Sequence, residues 1–380
     1  MEIYVVQAGD TLQGIAQRFG VSIESLIYQN QLIEPYGLAV GQSLVVGEPD
    51  TGEREGRRVI ISGGYAYPFI SPWVLEQTLP YLTELYIFSY GFTAEGDLVP
   101  PPLDDEWMIR EAVTMGSSPY LTLTSFGPDG QFNNNLISAI VNNPEASQRL
   151  LASLAAVMEQ KGYEGLDIDF EFIYASDRDA FTAFVRDAAA YLNPLGYEVS
   201  VALAPKSSAD QPGLLYEGKD YAALGAVANH VLVMTYEWGY TYSVPMAVAP
   251  VNLVRRVIEY AVTEIPPDKI SLGIPNYGYD WTLPYVRGVT RARTIGNIEA
   301  VQLAVRYGAA IQYDEVAQTP HFNYFDEMGR EHEVWFEDAR SMRAKYALIE
   351  EFGLRGIGCW QVMQLFRAMW LVLADRYWIE

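Results

Sequence analysis

The chain has 380 residues, half of them apolar, so it is long enough for one large globular domain and a small one. Its 48 acidic and 25 basic residues give a formal net charge of −23, which argues against nucleic acid and anionic membrane surfaces as partners. Cys359 is the single cysteine, so no intrachain disulfide can form.

The chain termini and the histidines exclude further classes. The first residues lack a basic region followed by an apolar core, so we expect no secretory signal. Near the C-terminus, Arg367 and Asp375 interrupt the apolar run, and we expect no membrane span. His230, His321 and His332 are scattered along the chain, so we expect no metal and no cofactor. We expect a monomer.

Residues 1–47 are predicted to form a small βααβ unit. A strand at residues 3–6 leads into a turn where Asp10 or Thr11 can cap the first helix. Ser22 can cap a second helix, and residues 40–46 form a turn and a last strand.

This unit resembles a LysM module. The resemblance is carried by Tyr-x-Val-x-x-Gly-Asp-Thr-Leu at the start, Leu-x-x-x-Asn in the second helix and Gly-Gln-x-Leu before the last strand. It implies binding of N-acetylglucosamine-containing glycans, such as peptidoglycan or chitin, in a groove between two loops. The residues implied are Gly9, Asp10, Thr11, Leu12, Asn30, Leu32 and Ile33. The alternative is a small packing domain without a ligand.

Residues 48–57 are polar with Pro and Gly and are predicted to be a linker. From residue 58 to 380, strands alternate with helices. The predicted strands are Val59–Gly63, Glu84–Phe88, Tyr120–Thr124, Gly165–Glu171, Glu198–Ala204, His230–Tyr236, Lys269–Ile274 and Gly356–Gln361. Eight repeats predict an α/β fold, a TIM (β/α)8 barrel, with a small α+β insertion at about 282–335. The active site of such a barrel lies at the C-terminal ends of its strands.

The stretch 164–172 alternates strictly between polar and apolar residues. This period predicts a strand with Asp167, Asp169 and Glu171 on one face and four large apolar side chains on the other. When acids lie roughly 6.5 Å apart on a partly buried face, ionising all of them costs free energy, so the pKa of at least one should be raised. A carboxyl group that is still protonated near neutral pH can serve as a general acid. A calcium site and a solvated acidic face are the alternatives.

Asp-x-Asp-x-Glu after a glycine, at the end of the fourth barrel strand, resembles glycoside hydrolase family 18, the chitinase-like enzymes. Other stretches resemble the spore cortex-lytic branch of that family, which joins LysM modules to the barrel. They are Ala202–Lys206, Leu214–Glu217, Met234–Tyr240, Ile274–Pro284 and Val334–Ser341. The best-known members carry two LysM modules, whereas this chain has one.

The resemblance implies a role for each matching residue. Glu171 would be the general acid and base, Asp169 would bind the substrate's acetamido N–H, and Asp167 would tune the charge of Asp169. Tyr236 would hold the acetamido carbonyl, and Trp360 would form the floor of the sugar site. The alternative for both is that they only pack at the rim of the barrel. Further candidates for sugar contacts are Glu237, Asn276, Tyr277, Tyr279 and Tyr90.

The function implied is hydrolysis of the β-1,4 bond after N-acetylglucosamine in spore cortex peptidoglycan, by a retaining, substrate-assisted mechanism. Lack of a signal peptide suits a protein deposited in the spore cortex or coat. A chitinase and a non-catalytic glycan-binding barrel are the alternatives. Such lectins typically lose the acid, and here all three acids are present.

Overall fold

A computed structural model describes residues 1–50, 52, 56–127 and 130–380 of the chain. The predicted linker at 48–57 therefore lies partly outside the described residues. The N-terminal unit consists of β1 (Glu2–Val5), α1 (Leu12–Phe19), α2 (Ile23–Asn30) and β2 (Ser43–Val46). Strands β1 and β2 pair antiparallel, with Tyr4 opposite Leu44.

Strands and helices then alternate along the chain. They are β3 (Val59–Ala66), α3 (Pro72–Thr78), β4 (Glu84–Phe92), β5 (Leu98–Val99), α4 (Glu106–Met115), β6 (Ser118–Thr124), α5 (Asn134–Val141), α6 (Pro144–Lys161), β7 (Gly165–Asp169), α7 (Arg178–Leu192), β8 (Glu198–Leu203), α8 (Tyr221–Val227), β9 (His230–Val233), α9 (Val251–Glu264) and β10 (Ile270–Pro275).

The last part of the chain holds the remaining elements. They are β11 (Gly278–Thr282), β12 (Arg293–Ile295), α10 (Asn297–Tyr307), β13 (Gln312–Asp314), β14 (Thr319–Phe325), β15 (Glu331–Trp335), α11 (Ala339–Phe352), β16 (Gly356–Trp360), α12 (Arg367–Arg376) and β17 (Trp378–Ile379).

Eight parallel strands close into a barrel, which confirms the predicted TIM fold. They follow the order β3-β16-β10-β9-β8-β7-β6-β4, and β3 pairs with β4 to close the ring. The short strands β5 and β17 add to β4 and β3 outside this ring. The main core lies between the strands and the surrounding helices, where the apolar faces of both meet.

The acidic strand β7 ends at Asp169, earlier than the predicted end at Glu171. Its alternation holds through Phe170, which is buried and stacks on Phe184 of α7. Phe172 then adopts a left-handed backbone with φ of 51° and is exposed. The chain therefore leaves the strand direction, and Phe172 does not share the buried apolar face as the alternation predicted.

The insertion between the seventh and eighth barrel strands is a five-stranded antiparallel sheet with the order β12-β11-β15-β14-β13. Its own core includes Phe322, Val334 and Phe336. The sheet begins at Gly278, before the predicted boundary at 282, because β11 follows the barrel strand β10 almost directly.

The N-terminal unit packs against the barrel and the insertion. Ala39 joins the core of the insertion and Val45 joins the main core. The Ile311 N–H donates to the Val40 carbonyl at 2.8 Å. Gln31 donates to the Leu365 carbonyl at 3.0 Å and accepts from the N–H of Arg367 at 2.7 Å. The unit therefore has a fixed orientation on the barrel surface.

Every helix in the described part of the chain is too short or too polar to cross a membrane.

Candidate active site

A cleft of about 620 Å3 opens at the C-terminal ends of the barrel strands. Aromatic side chains form most of its wall, and Asp169, Glu171 and Glu237 place carboxyl groups in it. Strands β3, β7, β9 and β16, or the loops that directly follow them, all contribute residues. The barrel therefore gathers residues that are far apart in the sequence, as the fold predicts.

Asp167 lies at the base of the acid cluster and is fully buried. Its two oxygens accept hydrogen bonds from the Tyr65 hydroxyl at 2.9 Å and from the Ser200 hydroxyl at 2.6 Å. Burial raises the pKa of Asp167 to about 7; Ser200 opposes this shift and the charge of Asp169 adds to it. Asp167 can thus hold a proton near neutral pH.

Asp169 is buried beside the cleft, and its Oδ1 has no hydrogen-bond partner among the described residues. Burial raises the pKa of Asp169; the charge of Glu171 raises it further, whereas Lys219 lowers it. An unpaired acceptor that is nine-tenths buried is costly unless a ligand supplies a donor. The site therefore offers Asp169 to a donor on a bound molecule.

Glu171 follows β7 and lines the cleft. Burial raises the pKa of Glu171, the Lys219 charge lowers it, and the Glu237 charge raises it. A raised pKa keeps a carboxyl group protonated at higher pH, which suits a general acid.

Lys219 is a buried cation beside these acids that the sequence analysis missed. Its ammonium group donates to the Ala202 carbonyl at 3.0 Å. Ala202 is on β8 and lines the cleft. The residue before it, Val201, pairs with Ile168 of β7, so Ala202 lies next to Asp169. In the sequence, Lys219 has the features of a solvated turn residue. The only sign of a functional role is its position just after Leu214–Glu217, one of the stretches that resemble the cortex-lytic branch.

Tyr236 and Trp360 both line the cleft. Tyr236 is buried and follows β9. Trp360 ends β16 and makes an edge contact with Phe88, with ring centres 5.0 Å apart. Their roles toward a sugar stay predictions, but the structure brings both residues to the acids.

Glu237 projects into the cleft from a left-handed backbone with φ of 69°. Its carboxylate accepts hydrogen bonds from the hydroxyls of Tyr277 at 2.5 Å and Tyr279 at 3.0 Å. Both tyrosines are buried behind it. They hold Glu237 in place, and their own contact with a sugar stays a prediction.

Tyr90 lies outside the cleft, contrary to the prediction. Its hydroxyl donates to Asp105 at 2.7 Å, in a buried cluster with Tyr163 and Lys161. The register of β4 against β6 shifts between Phe88 and Tyr90. This irregularity breaks the alternation, so Tyr90 points to the helix layer while Phe88 lines the cleft.

Asn276 is also structural. Its amide donates to the carbonyls of Gln361 at 3.1 Å and Gln364 at 2.9 Å, which fixes the loop after Trp360. The prediction of a direct sugar contact is therefore replaced by support of that loop.

In the described residues, Glu84, Glu198 and His230 are the one group spaced to hold a metal ion. They begin strands β4, β8 and β9, at the end of the barrel opposite the cleft. The Arg355 guanidinium already donates to both oxygens of Glu84, at 3.0 and 2.6 Å. One of the three possible metal ligands therefore has its charge neutralised by a cation. The absence of a metal requirement stays a prediction.

The residues predicted for the N-terminal groove divide into two sets. The Asn30 side chain bonds both the N–H and the carbonyl of Val45, and Leu32 is buried, so both stabilise the unit itself. Thr11 caps α1, and Asp10 accepts from Gln7 and Tyr4. Leu12 packs partly buried on the core, while Gly9 and Ile33 lie at the surface. Their contact with a glycan stays a prediction.

The chain belongs to glycoside hydrolase family 18, because the family model "Glycosyl hydrolases family 18" matches residues 116–364, and it is therefore a glycoside hydrolase. The LysM domain model matches residues 4–47. Among curated relatives, the chain is 38% identical to the cortical fragment-lytic enzyme of Bacillus subtilis (strain 168), covering 99% of this chain and 98% of that one.

Solved structures agree with this assignment. The spore cortex-lytic enzyme SleL of Bacillus megaterium QM B1551 aligns with a TM-score of 0.92 at 35% identity, covering 100% of this chain and 98% of the other. A chitinase of Chromobacterium violaceum aligns with a TM-score of 0.77 at 25% identity, covering 83% and 98%.

Proposed function

We propose that the chain hydrolyses the β-1,4 bond after N-acetylglucosamine in spore cortex peptidoglycan. The observation that carries this proposal is the unpartnered, buried Oδ1 of Asp169 in an aromatic cleft, between Asp167 and Glu171. The names of the two cortex-lytic relatives support the substrate, since both align over nearly their full lengths.

In the first step, an N-acetylglucosamine ring lies on Trp360 and its acetamido N–H donates to Asp169. The Tyr236 hydroxyl donates to the acetamido carbonyl oxygen and holds it below C1. That oxygen attacks C1, the C1–O bond breaks, and Glu171 gives its proton to the leaving oxygen. The sugar becomes an oxazolinium ion, whose positive charge the Asp169 carboxylate stabilises.

In the second step, the Glu171 carboxylate takes a proton from water, and the resulting oxygen attacks C1 and opens the oxazolinium ring. The configuration at C1 is retained because both attacks occur in line on opposite faces. Asp167 and Asp169 share a proton through the cycle, which the raised pKa of Asp167 supports.

The LysM module binds the same polymer and places the enzyme on it. The chain acts at the spore cortex or coat, as a monomer and without a metal or cofactor. Strong chelator should leave the rate unchanged, and a loss of activity that zinc or calcium restores would contradict this part.

Purified protein should be assayed on cortex fragments containing muramic δ-lactam, on vegetative peptidoglycan and on chitin oligomers, with mass spectrometry of the products. We expect cortex to be cut fastest, with N-acetylglucosamine at the new reducing end. Products that end in reducing N-acetylmuramic acid would refute the bond assignment.

A chitinase is the second candidate, favoured by the chitinase of known structure at 25% identity. Equal rates on chitin oligomers and cortex fragments would support it. Binding without cleavage of any of the three substrates would instead indicate a non-catalytic barrel.

A further inference from the structure

An exposed aromatic ring continues the cleft wall outward. Tyr67 lines the cleft just after β3, and its ring stacks on Phe69 with centres 5.1 Å apart and planes at 24°. Phe69 is 65% exposed. A phenylalanine held in this stack keeps one face open to solvent in a fixed orientation, as a platform for a flat ligand requires.

A second exposed aromatic group lies where the barrel meets the LysM module. Trp73, in the first turn of α3, is 55% exposed, and Tyr28 of α2 is 59% exposed. The Arg367 guanidinium lies between them, 4.0 Å from the Tyr28 ring centre and 5.9 Å from that of Trp73. Arg367 also donates to Gln77 at 2.8 Å, which fixes its position.

The junction itself is rigid at this point. Gln31 bonds the backbone at Leu365 and Arg367, directly beside the stacked Arg367 side chain. Tyr28 lies in the last turn of α2, which leads to Ile33, one of the surface residues predicted for the LysM groove. Hydrogen bonds and the Arg367 side chain therefore hold Tyr28 of the LysM module next to Trp73 of the barrel.

We propose that Phe69, Trp73 and Tyr28, with Arg367 between the last two, form an aromatic track that holds one glycan strand between the cleft and the LysM module. Single exposed aromatics are common on protein surfaces and need no explanation. Here three of them lie on the path from the cleft to the LysM module, and each contacts a neighbour, Phe69 by stacking on Tyr67 and the other two through Arg367. The apolar faces of sugar rings stack on such surfaces, and with a net charge of −23 the protein cannot rely on general attraction to an anionic wall polymer.

The track rests on the proposed function and deepens it, since it predicts that the enzyme prefers long glycan strands to short fragments. A strand that reaches from the cleft to the LysM module contacts the track, whereas a short fragment fills the cleft alone. Aromatic stacking contributes about 0.5–1.5 kcal/mol, so loss of each ring should weaken binding of long strands by about two- to tenfold.

Binding is best measured on the full chain carrying Glu171→Gln, by sedimentation with insoluble cortex peptidoglycan. In that background, Phe69→Ala and Trp73→Ala should each weaken binding, and the double variant more so. Trp73→Phe keeps an aromatic face and should retain most of the affinity. In the active enzyme, the ratio of the rate on long strands to the rate on short fragments should fall.

Phe325→Ala and Tyr191→Ala are matched controls, because these aromatics are 64% and 46% exposed and lie on β14 and α7, outside the track. Both should bind as the Glu171→Gln parent does. Phe69→Ala and Trp73→Ala proteins that bind as tightly as these controls would overturn the track. Because the sedimentation assay needs no cleavage, its result is separate from a failure of the proposed hydrolysis.

Discussion

The Tyr65 hydroxyl donates a hydrogen bond to Asp167 Oδ2 at 2.9 Å, joining the first barrel strand to the base of the acid cluster. This bond lowers the pKa of Asp167 against the effect of burial. Tyr65→Phe should therefore raise that pKa and lower kcat by about tenfold or more, since a hydrogen bond to a charged group contributes about 1.5–3 kcal/mol.

Tyr163→Phe is the control for this prediction. Tyr163 donates to Asp105 at 2.7 Å in a similar buried pair outside the cleft. Its loss should lower the thermal stability and leave kcat unchanged. A Tyr65→Phe enzyme with wild-type kcat would show that this hydrogen bond is only structural.

Glu171→Gln keeps the shape of the side chain but removes the transferable proton. We expect the rate on cortex fragments to fall by about 10²–10⁴-fold, the usual effect of losing a general acid–base group, with binding retained. On an activated aryl glycoside, whose leaving group needs no proton, this variant should recover part of its first step.

Asp169→Asn separates the two roles. It removes the negative charge opposite the oxazolinium ion, so the activated substrate should not rescue it. If both variants respond alike to leaving-group activation, the assignment of proton transfer to Glu171 is wrong.

Lys219→Met should move the acid limb of the kcat/KM profile to higher pH. The Lys219 ammonium group lowers the pKa values of Asp169 and Glu171, and it also faces Asp167. Without this cation, the pKa of Asp169 rises, so the carboxylate that stabilises the oxazolinium ion forms only at higher pH.

Lys269→Met is a suitable comparison, because Lys269 also donates to main-chain carbonyls, those of Gly225 and Ala228 at 2.9 Å. It lies just before β10, at the barrel end opposite the cleft, and should leave the acid limb in place. An unshifted limb in Lys219→Met would mean that the cation does not act on the acids.

Asp167→Asn should stabilise the fold at neutral pH while it lowers activity. The pKa of Asp167 is about 7 when folded, against an ordinary value of 3.8, so the folded chain binds more protons between these pH values. The free energy of unfolding therefore falls as pH rises through this window, by about 1.4 kcal/mol per pH unit at most. Asparagine cannot ionise, so the variant does not lose this stability. Urea unfolding at pH 4 and pH 8 should show that Asp167→Asn is more stable than the wild type only at pH 8.

Asp105→Asn should behave in the opposite way. Although burial raises the pKa of Asp105, bonds from Lys161, Tyr163 and Tyr90 lower it overall, so its ionised form stabilises the fold above the ordinary pKa. This variant should lose stability at pH 8. Equal pH dependence of the two variants would contradict the pKa shifts given for both.

Removal of the LysM module should destabilise the barrel as well as weaken wall binding. A chain that starts at residue 56 loses the contacts of Ala39 and Val45 with the two larger cores. Its Tm should fall by several degrees, as expected for about 1–3 kcal/mol of lost packing. Gln31→Ala removes only two hydrogen bonds and should have a smaller effect; an unchanged Tm after truncation would show that the interface contributes nothing.

The sequence by itself determined the barrel and the acid cluster. Period-two alternation and eight strand–helix repeats are local signals, and in a closed parallel barrel they fix which strand ends meet. Asp167, Asp169, Glu171, Tyr236 and Trp360 follow from that rule together with the family motif, and the structure places all of them in or directly below one cleft.

The tertiary structure decided what local periodicity cannot encode. A register shift in β4 turned Tyr90 away from the cleft, and β7 ends at Asp169, two residues before Glu171, with Phe172 in a left-handed conformation beyond it. Lys219 becomes a buried counter-charge only because the chain after β8 folds back over the acids. The contact of Tyr28 with Arg367 joins residues more than 300 positions apart. Such relationships depend on long-range packing, which is decided by the free energy of the whole fold rather than by any stretch of the chain.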